Sequence, residues 1–311
     1  MTKGFVVNTP YDDVFRTMLN DCSRLIIPVI NEIFSESYRG DEKIVFSPEI
    51  HFVNQQDGEE TKRITDSSFE IIGEKETKFL LECQSTADSS MLIRIFEYAT
   101  QIALDQGELE NNVLKVEIPR SAILFLRSNG ATPDKMTIEI KTPGGVNSFD
   151  VSVMKAQKYS IDDIFEKGLL FLIPFYIFSH ESRFQEYELD EDALKELKIE
   201  YMEIVKRLDS LLENGSISIY TKKMIVEMSN KVVNHLAQKY DNVKEGVTSI
   251  MGGKVLEYEA KQILNEGKIE GRIEQARETA QVLRGMGISE EKIAKAVNIS
   301  VGVLKEWFNA N

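Results

Sequence analysis

Residues 64 to 85, ITDSSFEIIGEKETKFLLECQS, constrain this chain more than any other stretch. Two runs of alternating apolar side chains flank a turn near Gly73. Because successive side chains on a strand point to opposite faces, burying both apolar sets on one sheet face limits how the two runs can pair. Phe69 and Ile71 share a face on the first strand, as do Phe79, Leu81 and Cys83 on the second. A three-residue loop, Gly73 to Lys75, satisfies both sets. It places Phe69 opposite Phe79, Glu70 opposite Lys78 and Asp66 opposite Glu82. The alternation that buries Cys83 turns Asp66, Glu82 and Gln84 to the other face, at one end of the hairpin. Two carboxylates placed so close repel. Either one is pushed neutral, or a cation such as Mg²⁺ holds both ionised, or the acids stand a little apart in solvent at the strand ends.

The rest of the chain reads as α/β (α+β). Residues 11 to 36 have helical periodicity through Val14, Phe15, Met18, Leu19, Ile26, Ile30, Ile33 and Phe34, with Pro28 as the expected break. Strands are expected over Glu49–Val53, Ile64–Ile72, Lys78–Gln84, Ser121–Arg127, Met136–Lys141 and Phe149–Met154. Between them a helix from about Ser89 to Gln106 lines up Leu92, Ile95, Phe96, Ala99, Ile102 and Ala103 as a core stripe. From about residue 187 the chain turns polar and helix-prone, which places a domain boundary at 186/187 and a helical region over 187–311. Within it Ile269, Ile273, Ala276, Ala280 and Leu283 form a short heptad seam, inside a coiled coil over about 254–286. The seam serves either self-association into a homo-oligomer or docking onto its own domain. Residues 289–308 resemble a helix-turn-helix, with Ser300 as N-cap of its second helix, or a helical hairpin used for packing. Lys305 is the only basic side chain on that second helix.

Composition removes several classes. The net charge of −14 argues against broad coating of nucleic acid, which rests on phosphate neutralisation, and leaves room only for a narrow groove. Two cysteines exclude a disulfide framework, and His51, His180 and His235 lack zinc-hydrolase spacing. Phosphate-loop, dinucleotide and serine-hydrolase signatures do not occur. The longest apolar run, GLLFLIPFYIF at 168–178, holds a proline and is shorter than the ~20 residues of a membrane span, so it reads as a buried helix end. No export signal is visible at the N-terminus, and a cytoplasmic location is expected.

At the hairpin the chain resembles the PD-(D/E)XK nuclease superfamily, and within it the Rpn family of recombination-promoting nucleases, also described as transposases. Asp66 stands in the place of the first acid, and Glu82-Cys83-Gln84 in that of E-x-K, in the E-x-Q form. YDDVFR matches the family's D-x-x-F-K start through Asp12 and Arg16. MLIRIFEY matches its R-x-x-x-Y helix through Arg94 and Tyr98, with Gln101 one turn on. Thr65 replaces the usual proline, and Gln84 replaces the lysine that orients or activates the attacking water. The resemblance implies a restriction-endonuclease-like core with a mixed central sheet flanked by helices. It also implies a Mg²⁺- or Mn²⁺-dependent DNA endonuclease. Asp66, Glu82 and the Cys83 carbonyl would hold the metal, Asp12 would join through water, and Arg16, Arg94, Tyr98 and Gln101 would face substrate; without the resemblance, a surface ion pair for Arg94 and a packing role for Tyr98 serve equally well. A degenerate fold used for DNA or protein binding, and RNA as the substrate, are the rival readings.

Overall fold

In a computed structural model the description covers residues 10–46, 50–54, 61–65, 68–74, 76–85, 90–252, 276–277, 279–297, 299 and 301–309, with 50–54 and 61–65 as backbone. The chain divides into two compact units, Met1–Gly253 and Lys254–Asn311.

The first unit opens with helices α1 (Pro10–Asp21) and α2 (Ile26–Phe34), joined by a 3-10 turn at Ser23–Leu25. The expected break at Pro28 is displaced to this turn. Pro28 is the third residue of α2, where a backbone N–H has no intrahelical partner, so its missing donor costs nothing there. The strands are β1 (Lys43–Phe46), β2 (Ile50–Asn54), β3 (Thr61–Thr65), β4 (Ser68–Ile72), β5 (Glu76–Gln84), β6 (Glu108–Glu110), β7 (Val113–Lys115), β8 (Arg120–Phe125), β9 (Lys135–Thr142) and β10 (Gly145–Lys155). Six of them form a mixed sheet in the order β1-β4-β5-β8-β10-β9. Its centre, β5-β8-β10, is parallel and its margins are antiparallel.

One expected strand is two. The run 64–72 is shared between β3, paired with β2 in a separate ribbon, and β4, paired within the main sheet. Lys43 pairs with Ile72 and Ile50 with Thr65, so seven residues on each side separate the two pairs. The two pairings thus share one register offset. Asp66 and Ser67 lie outside the described residues.

Helix α3 (Met91–Asp105) covers one sheet face, where Met91, Ile95, Tyr98, Ala99 and Ile102 pack on Leu80, Ile123, Phe125 and Val151. The other face carries Phe79, whose ring meets Phe34 of α2 at 5.3 Å and Phe69 at 5.9 Å. Two asparagines with positive φ, Asn111 (49°) and Asn112 (62°), turn the small β6–β7 hairpin, as this residue type tolerates the left-handed region.

The apolar run at 168–178 is buried as expected, but as a 3-10 stretch, Leu170–Arg183, with Pro174 inside it. The boundary expected at 186/187 is not where the contacts thin out. Helices α4 (Ile161–Glu166), α5 (Phe184–Leu189), α6 (Glu191–Glu213), α7 (Ile219–Leu236) and α8 (Asp241–Met251) belong to the first unit. Polar as they are, they bury Leu197, Tyr201, Ile204 and Leu208 on α6 and Ile225, Val232 and Val233 on α7, and α7 packs on α1 and on the 3-10 stretch. Among the described residues no helix is long and apolar enough to cross a membrane.

In the second unit, helices Glu290–Ala296 and Val301–Asn309 stand where the helix-turn-helix was expected, with Asn298 and Ser300 outside the described residues. Ala280, Ile293, Ala294 and Leu304 form its core, with Leu283, Val297, Ile299, Trp307 and Phe308 packed around them. Arg277 lies 5.3 Å over the Trp307 ring and Arg284 4.3 Å over Phe308. The distal part of the expected seam, Ala280 and Leu283, thus docks within its own chain. Ile269 and Ile273 fall outside the described residues.

Candidate functional site

The β4–β5 register is the expected one. Phe69 pairs with Phe79, Glu70 with Lys78, and Ile72 with Glu76, leaving the loop 73–75 between them. Opposite placement of Glu70 and Lys78 does not make them each other's partner, however. Glu70 accepts from Gln106 Nε2 at 3.0 Å, and Lys78 lies 3.8 Å from Glu117.

Along β5, Leu80 is buried beneath α3, so Glu82 and Gln84, two and four residues on, point to the same face, both half-buried. They emerge at the carboxyl ends of the parallel strands β5, β8 and β10, the edge at which open parallel sheets present ligand sites. Cys83 points to the opposite face and is 6% exposed. Burial raises its thiol well above the ordinary range, and the charges of Asp12 and Glu82 push the same way. Asp12, in the first turn of α1, therefore brings its charge close to Cys83, as Glu82 does.

That environment bears on metal binding. A thiol held protonated is no thiolate ligand at neutral pH, which leaves Cys83 its backbone carbonyl. The Gln84 carbonyl accepts from Leu126 N at 2.8 Å, toward β8. Adjacent peptide groups on a strand point to opposite sides, so the Cys83 carbonyl points toward the β4 side, where the described pairing ends at Ser68 and Leu80. A carboxylate from Glu82, that carbonyl and a second carboxylate make an oxygen donor set suited to Mg²⁺. The second carboxylate expected was Asp66, which lies outside the described residues. Among the described residues, no three His, Cys, Asp or Glu side chains gather.

Arg94, in the first turn of α3, reaches this end of β5, with Nη2 3.4 Å from Gln84 Oε1 and 3.9 Å from Met91 Sδ. Two residues expected to face substrate are placed differently. Tyr98 is 6% exposed and belongs to the core under α3, because its side of the helix faces Leu80 and Ile123. Gln101 donates to Asp105 Oδ1 at 2.8 Å, one turn further from the site. Arg16 is half-buried on α1, one turn after Asp12.

The sequence reading passed over Arg127. Just beyond β8, its guanidinium forms a two-pronged pair with Glu181, Nε to Oε2 at 2.5 Å and Nη2 to Oε1 at 2.8 Å. Nη1 also donates to the Ser85 carbonyl at 3.1 Å. The guanidinium lies 4.8 Å over Phe178, and its charge opposes the rise that burial causes at the hydroxyl of Tyr11, the residue before Asp12. One side chain thus joins the end of β5, the start of α1 and the 3-10 stretch. Its signal was present in the sequence: a charge closing an apolar strand, the pattern that singled out Glu82.

Comparisons of the chain with protein-family models, with curated proteins and with solved structures found no match.

Proposed function

We propose that the chain is a metal-dependent phosphodiesterase of the PD-(D/E)XK type, acting on DNA, and that the Rpn-like motifs mark its site. The observation that supports this reading is the contact of Arg94 with Gln84 at the carboxyl edge of the parallel strands, on the sheet face that Glu82 shares, in a hairpin with the register expected from its sequence. The described β4–β5 pairing runs from Ser68 and Leu80 to Ile72 and Glu76, and Asp66 lies outside it.

Asp66, Glu82 and the Cys83 carbonyl would hold Mg²⁺ or Mn²⁺, with Asp12 joining through water. The ion would acidify a bound water and offset charge on the phosphate. Gln84 hydrogen-bonds at the reacting centre, and Arg16 and Arg94 offset phosphate charge near it. Burial of Leu80, Cys83 and the α3 stripe keeps these groups on a rigid strand, which favours precise placement over loop-borne flexibility.

Cleavage of supercoiled plasmid in Mg²⁺ or Mn²⁺, beside Asp66→Asn and Glu82→Gln, tests the reading. The wild type should nick or linearise the plasmid and both variants should lose at least 100-fold in rate, about 2.7 kcal/mol of barrier. Equal cleavage by either variant rejects the mechanism. Gln84 in place of lysine favours one rival, a fold that has kept binding and lost catalysis. Plasmid retention in a gel shift without cleavage would identify it, and selective cleavage of RNA would change the substrate.

A further inference from the structure

The contact between Arg94 and Gln84 has a chemical direction. A guanidinium carries five N–H donors and no acceptor, so the amide atom that faces it must be the oxygen, at 3.4 Å from Nη2. The NH₂ group of Gln84 is then turned away from Arg94, and the amide keeps one of its two flip states. We propose that Arg94 is a positioning residue that acts through Gln84, locking the side chain so that residue 84 meets the substrate phosphate as a hydrogen-bond donor. The inference rests on the nuclease reading above.

The lock gives the E-x-Q departure a rationale. A lysine at this position is a donor with no acceptor, whereas a free glutamine could present either end. Fixed by Arg94, Gln84 behaves as a donor only, and the missing positive charge is supplied one shell back by the guanidinium. Glu82, two residues earlier on the same face, is the acid on the metal side of this pair.

Two measurements on the full chain test the proposal. In metal-free protein, the melting losses of Gln84→Met and Arg94→Met should together exceed that of the double variant, because the second substitution has no bond left to break. Gln84→Glu should melt at or above the wild type, since its carboxylate pairs with Arg94, yet cleave plasmid at least tenfold more slowly at saturating Mg²⁺, having no donor. Because the new carboxylate also repels the phosphate, that rate tests the donor at residue 84, while the Arg94 variants test the lock. Arg94→Lys should recover part of the rate lost in Arg94→Met, because an ammonium also offers only donors. Additive melting losses would overturn the lock, and full activity in Gln84→Glu would overturn the donor role. A wild type that cleaves nothing in either metal would instead sink the nuclease reading, and the donor role with it, while coupled melting would still establish the contact.

Discussion

A lysine at position 84 would restore the E-x-K pattern, but it would bring an ammonium beside the Arg94 guanidinium, and like charges at this range repel. Gln84→Lys alone should therefore cleave more slowly than Gln84→Lys combined with Arg94→Met; a rate series at saturating metal checks the order, and the reverse order would exclude repulsion. The two thiols make a second prediction at this scale. Burial pushes Cys22 up to about 11 and Cys83 well above its ordinary value of 9.0. Below pH 9.0 both thiols are neutral whether folded or unfolded, and their contribution is whole. As pH rises past that value the unfolded thiols ionise first, so stability is lost toward the folded values. Denaturant melts between pH 8 and about 10.5 should show a steeper alkaline loss in wild type than in Cys22→Ala/Cys83→Ala. Residue-scale features of the hairpin were legible in the sequence because alternation limits the faces of Phe69, Phe79 and Cys83 and the three-residue loop then selects one register. Of the two roles open to Tyr98, packing is the one its burial supports, and which applies is decided by the sheet residues beneath the helix, which no local pattern records.

Between elements, Arg127 fastens the end of β5 to α1 and to the 3-10 stretch. Each partner of the Arg127–Glu181 pair is 32% exposed, so solvent screens it, and Arg127→Met should cost about 1 kcal/mol. The more telling effect is on the site. Loosening Ser85 and Tyr11 should lower cleavage several-fold at saturating metal while leaving the melting transition cooperative, and unchanged cleavage would confine Arg127 to a structural role. This clamp was only half legible. The charge at a strand end can be read locally, but its partners lie 54 residues away at Glu181 and 42 away at Ser85. The division of run 64–72 between two sheets was hidden for a related reason: both segments are extended, and only the partner strands distinguish them. Pro28 was read as a breaker where it opens α2, since a proline's effect depends on its position within the helix.

For the whole molecule, the composition change near residue 187 misled because charged amphipathic helices can still bury a full stripe, as α6 does through Leu197, Tyr201, Ile204 and Leu208. The division at Gly253/Lys254 predicts that residues 1–253 fold alone. Leu304→Ala should cost about 2–5 kcal/mol in the second unit only, and calorimetry should show its transition move while that of the first stays fixed. If the C-terminal helices also join two copies, the full chain should run as a dimer and residues 1–253 as a monomer; monomers in both cases leave the seam to intramolecular packing, where Ala280 and Leu283 already lie. Titrating Mg²⁺ or Mn²⁺ into the full chain while following its melting temperature tests whether a divalent metal binds at the end of β5. Metal at about 100 times its dissociation constant should raise it by roughly 3–6 °C, and Glu82→Gln should abolish the rise while Cys83→Ala keeps it. No rise at millimolar metal, or an equal rise in Glu82→Gln, would contradict the account.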